Sequence, residues 1–150
     1  MKQKMCCFDG GKSDFDETKL KNAIIELIKK ENVRKFCFLR KSELDSVALN
    51  ILKELKNEYP DITLGMILPN INVEFLDRNA KPFCEYDFFL TDKISYETEN
   101  GWVTKKFNHY MAECSDFLIC HCDSKSGRAY DTIKYAKNLG NIKILNIAEM

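Results

Sequence analysis

The sequence predicts an α/β fold, a mainly parallel sheet held between helices on both of its faces. Three observations point to it. Short apolar runs alternate with longer segments whose apolar residues recur at helical spacing, along nearly the whole chain. The short runs are apolar throughout rather than at every second residue, the pattern of strands buried on both sides. Glycine, proline, asparagine and aspartate punctuate the junctions.

The first strand is read over Lys4 to Phe8, ending at Asp9-Gly10-Gly11-Lys12. Asp16 is placed to cap a helix in which Leu20, Ala23, Ile24, Leu27 and Ile28 share a face. Arg34 to Leu39 is the second strand. Leu44, Val47, Ala48, Ile51, Leu52 and Leu55 then form an apolar stripe, which makes Glu43 to about Glu58 helical until Tyr59-Pro60-Asp61 breaks it. Ile62 to Leu68 is the third strand. A short helix is expected within Ile71 to Phe83, a fourth strand over Tyr86 to Leu90 and an exposed loop from Thr91 to Gly101. Thr104 to Glu113 reads as a helix with Phe107, Tyr110 and Met111 inward. The last unit runs through strand Phe117 to Cys122, a loop, a helix from Ala129 to about Leu139 stopped by Gly140-Asn141, and strand Ile142 to Asn146.

Parallel strands joined through helices give a Rossmann-like three-layer sandwich of about five or six strands. At 150 residues, without repeat, linker or low-complexity tract, residues 1–150 read as a single domain. Lys plus Arg and Asp plus Glu both total 23, so no basic surplus marks a nucleic-acid footprint. Seven cysteines, an odd number with no secretory leader, fit thiols kept reduced in the cytoplasm. On a strand Cys120 and Cys122 share one face and His121 takes the other, so they do not converge on a metal ion. No apolar run reaches the roughly 20 residues of a membrane span.

In such folds ligands bind beyond the carboxyl ends of the strands, where the strand order reverses. This selects Asp9 to Lys12, Arg40 to Asp45 and Asp123 to Arg128. Gly10 and Gly11 form either a ligand-facing turn or a plain tight turn. Lys12, Arg40, Lys41 and Ser42 are placed to hold anionic oxygens, with solvent-exposed charge the plainer account for the cations. Asp45 lies in a helix first turn, where the dipole favours a carboxylate with or without ribose hydroxyls to bind. Asp123 ends the fifth strand, as a site acid or as a loop cap. Ser126 is the expected N-cap of the last helix, and Gly127 and Arg128 are the expected phosphate contacts, because a helix opening there points unpaired N–H groups into a crevice. Asn108 is placed for a base or ribose. His109 and His121 have no partner arranged for a catalytic triad, and Trp102 reads as a packing cap.

Several of these stretches resemble the SLOG superfamily, Rossmann-like domains related to the DprA and Lonely-Guy proteins. Within it they look most like small bacterial domains opening with Cys-Cys-Phe-x-Gly. Cys6-Cys7-Phe8-Asp9-Gly10 is similar to that opening motif, and Leu44-Asp45 with Ala48 to the start of the family's second helix. Tyr59-Pro60 and Leu68-Pro69 fit around the third strand. Asn108, Met111 and Ser115-Asp116 follow an Asn-x-x-Met-x-x-x-Ser-Asp pattern, and Tyr135-Ala136-Lys137 resembles the last helix. The glycine loops differ. Gly11-Lys12 stands where the family tends to have His-Arg, Leu39, Lys41 and Glu43 take small-residue positions, and Gly127-Arg128-Ala129 replaces Gly-Gly-Thr.

The resemblance implies a nucleotide or nucleotide-derived ligand of ADP-ribose-like or cyclic kind, held by a homo-oligomeric sensor or sequestering module without a further cofactor. The altered glycine loops favour binding over catalysis. The alternative is an N-glycosidic-bond hydrolase or transferase of the phosphoribohydrolase or deoxyribosyltransferase kind, whose carboxylate would come from Asp45, Glu43 or Asp123. A third reading is a ligand-free oligomeric interaction protein.

Overall fold

A computed structural model describes residues 3–10, 14–39, 42–69, 86–92 and 108–150. Strand β1 covers Met5–Asp9 and is buried at every position. Helix α1, Glu17–Lys30, starts at Asp16, whose carboxylate accepts from the N–H groups of Thr18 and Lys19 as expected of that cap. It ends where Asn32 turns to φ 57°. Strand β2 is Lys35–Phe38, and helix α2, Glu43–Leu55, is capped by the Ser42 hydroxyl. Strands β3, Thr63–Pro69, and β4, Phe88–Asp92, follow. Residues 108–114 are helical (α3) and lead into β5, Phe117–Cys120. Helix α4, Arg128–Leu139, ends at Gly140 in the left-handed region, and β6 is Lys143–Asn146.

The six described strands pair in the order β4-β3-β2-β1-β5-β6, all parallel. The order runs one way from β1 to β4 and then restarts on the other side of β1 with β5. The switch point therefore lies between the carboxyl ends of β1 and β5, where Phe8 pairs with Ile119 and Asp9 with Cys120.

Alternation along the strands builds two cores. Cys6, Phe8, Phe36, Phe38, Phe117 and Ile119 face α1 and α2, joined by Leu20, Ile24, Leu27, Leu44, Ala48 and Leu52. Met5, Cys7, Cys37, Leu118 and Cys120 face the other way, onto Met111 and Ala112 of α3 and Ile133 and Ala136 of α4. This is the three-layer sandwich expected from uniformly apolar strands. The Phe8 and Phe38 rings stack 4.8 Å apart and the Phe8 and Phe36 rings 6.2 Å apart, so β1 and β2 are locked along the α1–α2 face. Adjacent Cys6 and Cys7 lie in different cores, as strand alternation requires.

Several boundaries differ from the sequence expectation; strand β5, for one, stops at Cys120 rather than Cys122. Thr91 and Asp92 are not loop but the end of β4, paired with Leu68 and Pro69. Helix α2 stops at Leu55 and closes in a turn, with the N–H groups of Lys56 and Tyr59 donating to Leu52 and Leu55. Helix α4 begins at Arg128 with Gly127 as N-cap rather than Ser126. The expected helix within Ile71 to Phe83, the rest of the 91–101 loop and Trp102 lie outside the described residues.

Candidate functional site

The carboxyl edge of the sheet places the candidate residues in two groups around the switch point. On the α4 side, Asp9 ends β1 only 4% exposed, and Arg128 opens α4 with its Nε 4.0 Å from the Asp9 Oδ1. Alternation puts Asp9 on the same face as Cys7. The Cys7 thiol is pushed up to about 12 by burial, against a hydrogen bond from Ser115, and the Asp9 and Asp45 carboxylates raise it further. Both acids therefore sit close enough to act on one thiol beneath the strand ends. Asp45 is 2% exposed, and its backbone N–H donates to the Ser42 hydroxyl at 3.2 Å.

The approach of α2 to β1 is set by Gly10. A Cβ at Gly10 would stand 2.4 Å from the Leu44 Cβ and 3.0 Å from the Ser42 Oγ. Only a residue without a side chain lets the first turn of α2 come down on the end of β1, which is how Asp45 reaches the strand ends. The role of Gly10 is thus close approach.

Gly127 at the start of α4 has φ 96° and ψ −179°, in the region that only glycine adopts without strain. No side chain caps this helix end, whereas Asp16 and Ser42 cap α1 and α2. The Ser124 hydroxyl bonds within the loop, to the Ser126 carbonyl at 3.0 Å. Asn146, at the end of β6, holds the loop's beginning. Its Oδ1 accepts from the Cys122 N–H at 3.0 Å and its Nδ2 donates to the Cys122 carbonyl at 2.8 Å.

Asn108 begins the described part of α3, 2% exposed, and its Nδ2 has no hydrogen-bond partner among the described residues. One residue on, His109 stacks on Tyr135 of α4 with ring centroids 3.8 Å apart, and its Nε2 lies 2.9 Å from the Asp131 Oδ2. The Tyr135 hydroxyl donates to the Glu113 carboxylate. These contacts fasten α3 to α4, so the elements carrying Asn108 and Arg128 are held as one piece.

Of the residues singled out in the sequence, Gly10, Ser42, Asp45, Gly127 and Arg128 gather at or beside the switch point. Glu43 is exposed at the first position of α2, and Asp123, Ser126 and the loop between them are exposed beyond β5. Gly11, Lys12, Arg40 and Lys41 lie outside the described residues. Sequence reasoning missed three residues as candidates in their own right. Asp9 looked like part of a loop, Asn146 like a strand end, and His121 like a histidine lacking a triad. The alternation that separates His121 from Cys120 and Cys122 was the available signal: Cys120 and Cys122 pack in the α3–α4 core, while the His121 ring meets Phe15.

No family model matches the chain, and no curated protein matches it. Among the described residues no group of His, Cys, Asp and Glu is arranged to hold a metal ion, and no helix is long and apolar enough to cross a membrane.

Proposed function

We propose that this chain binds a nucleotide-derived ligand across the β1–β5 switch point, as a SLOG-like sensor or sequestering module. The observation that carries the reading is the mouth of α4. A helix opens over the end of β5 with a glycine N-cap, no side-chain cap and an arginine at its first position. Its unpaired N–H groups and the Arg128 guanidinium form a place for phosphate oxygens. Asp45 and Asn108, both almost fully buried, the latter with an Nδ2 that bonds none of the described residues, are the candidate partners of ribose hydroxyls.

A second reading rests on two buried carboxylates, Asp9 at the end of β1 and Asp45 in the first turn of α2. Cleavage of an N-glycosidic bond needs a carboxylate at the anomeric carbon, to stabilise or trap positive charge there. The buried pair makes Asp9 and Asp45 better candidates for that role than the exposed Glu43 and Asp123.

Native mass spectrometry of the purified protein, with a denatured extract to identify released small molecules, tests the first reading. A retained nucleotide with no free base formed from AMP, NAD or deoxynucleosides supports binding. Release of free base replaces it with the second reading. No retained or titratable nucleotide at all leaves the fold as an interaction module, and the same spectra report whether it is a homo-oligomer.

A further inference from the structure

His121 belongs to none of the roles above, yet it stands at the switch point itself. It follows β5 directly, and its backbone N–H donates to the Asp9 carbonyl at 3.2 Å, tying the end of β5 to the end of β1. The side chain is 8% exposed, and its Nδ1 is buried without a hydrogen-bond partner among the described residues. A buried polar atom left unpaired is costly, and such atoms in native proteins call for a reason, a ligand among them. The ring lies on the α1 side of the sheet, 6.5 Å from the Phe15 ring and tilted 55° to it. Asp9 and Arg128 lie on the α4 side.

We infer that His121 recognises the heterocycle of the ligand: its Nδ1 hydrogen-bonds the base edge while Phe15 provides an aromatic wall beside it. The assignment rests on the nucleotide reading, and it adds an orientation to it. The ligand crosses the rim of the sheet from the Arg128 side, which holds phosphate, to the Phe15 side, which holds the base. An imidazole Nδ1 donates or accepts according to tautomer, so it is suited to a ring nitrogen or an exocyclic group of a purine or pyrimidine. The site then discriminates between bases, because a base that leaves Nδ1 unpaired forfeits the bond.

The test is a titration of the full chain and of its His121→Phe, His121→Asn and Phe15→Leu variants with AMP, GMP, UMP, ADP-ribose and ribose 5-phosphate. With the wild-type chain, at least one base-bearing ligand binds better than ribose 5-phosphate. His121→Phe weakens that ligand about tenfold and leaves ribose 5-phosphate unchanged, and His121→Asn, which keeps a polar group near Nδ1, recovers part of the loss. Phe15→Leu weakens the same ligand in the same selective manner. In the wild-type chain the His121 Nδ1 signal in nitrogen-15 NMR moves on adding that ligand, a readout independent of whether the variants fold. Equal losses for the base-bearing ligand and ribose 5-phosphate, or an unmoved Nδ1 signal on saturation, overturn the assignment while leaving the nucleotide site standing. Failure of all five compounds to bind the wild-type chain removes both.

Discussion

The Asp9 carboxylate, 4% exposed at the end of β1, lies 4.0 Å from the guanidinium of Arg128 at the first position of α4. One strand end and one helix start are thus coupled by charge across the switch point. Arg128 is a third exposed and Asp9 is buried, so the pair has an outer member that solvent or a ligand reaches and an inner one that it does not.

That asymmetry separates two effects of Arg128→Ala. On the proposed nucleotide reading, affinity falls by at least ~1.5 kcal/mol through loss of a charge-assisted phosphate contact. Thermal stability falls as well, because the buried Asp9 carboxylate loses a counter-charge. Combining Arg128→Ala with Asp9→Asn restores much of the stability but not the affinity. Calorimetric titration and thermal unfolding of the two single variants and the double variant check this, and recovered affinity in the double variant would place the phosphate elsewhere.

Gly10→Ala is expected to destabilise the fold by about 1–3 kcal/mol, the usual cost of forcing an extra methyl into packed surroundings. The clash is with the Leu44 Cβ at 2.4 Å, so the first turn of α2 must lift from β1. Denaturant unfolding measures the loss. Leu44→Ala in the same chain does not rescue it, since alanine keeps the Cβ that stands in the way.

Burial pushes the thiols of Cys6, Cys7, Cys37 and Cys120 well above the ordinary cysteine range, Cys7 to about 12. The thiolate is the reactive form, so these four resist iodoacetamide in the native protein at pH 8 while the half-buried Cys114 and Cys122 react before them. Peptide mapping after timed labelling reads the order. The sign of the linkage follows. Raised native values mean that stability is intact below the unfolded thiol value near ~8.5, and declines as pH climbs from there toward the native values. Melting temperature accordingly drops through pH 9 to 11.

Asp87 shows the opposite sign. Its partial burial raises its affinity for protons, but the Leu64 N–H at 2.8 Å and the Lys56 ammonium at 2.9 Å outweigh that and hold its carboxyl below the usual range. Its contribution is present above the unfolded value of ~3.9 and is lost as pH falls through the lower native one. Asp87→Asn is therefore less stable than wild type at pH 7, and the difference narrows below about pH 4. A gap that widens in acid would contradict the sign.

The sheet and its helices were legible in the sequence because burial on both faces leaves strands such as Phe117–Cys120 with no polar residue, and because α1 and α2 carry clean apolar stripes. Asp16 was readable as a cap because the first turn of α1 follows it directly. The start of α4 was not. Ser126 has the chemistry of an N-cap, but Gly127 alone takes φ 96° without strain, and a positive φ leaves no mark in polarity. Much of the site was obscure for a related reason. Asp9 and His121 acquire their setting from Cys120, Arg128 and Phe15, partners up to a whole domain away in sequence, which no local pattern records.

The placement of β5 beside β1 carries a consequence for biosynthesis. Strand β1 gains β2 as a neighbour early, but its other edge stays bare until residues 117–120 have been made. Through most of translation the nascent chain thus offers an uncovered apolar strand edge, Met5–Asp9, to chaperones or to other chains. Closing that edge and forming the β1–β5 switch point are the same event, so a ribosome-stalled chain ending before β5 exposes a sticky strand and lacks the switch point.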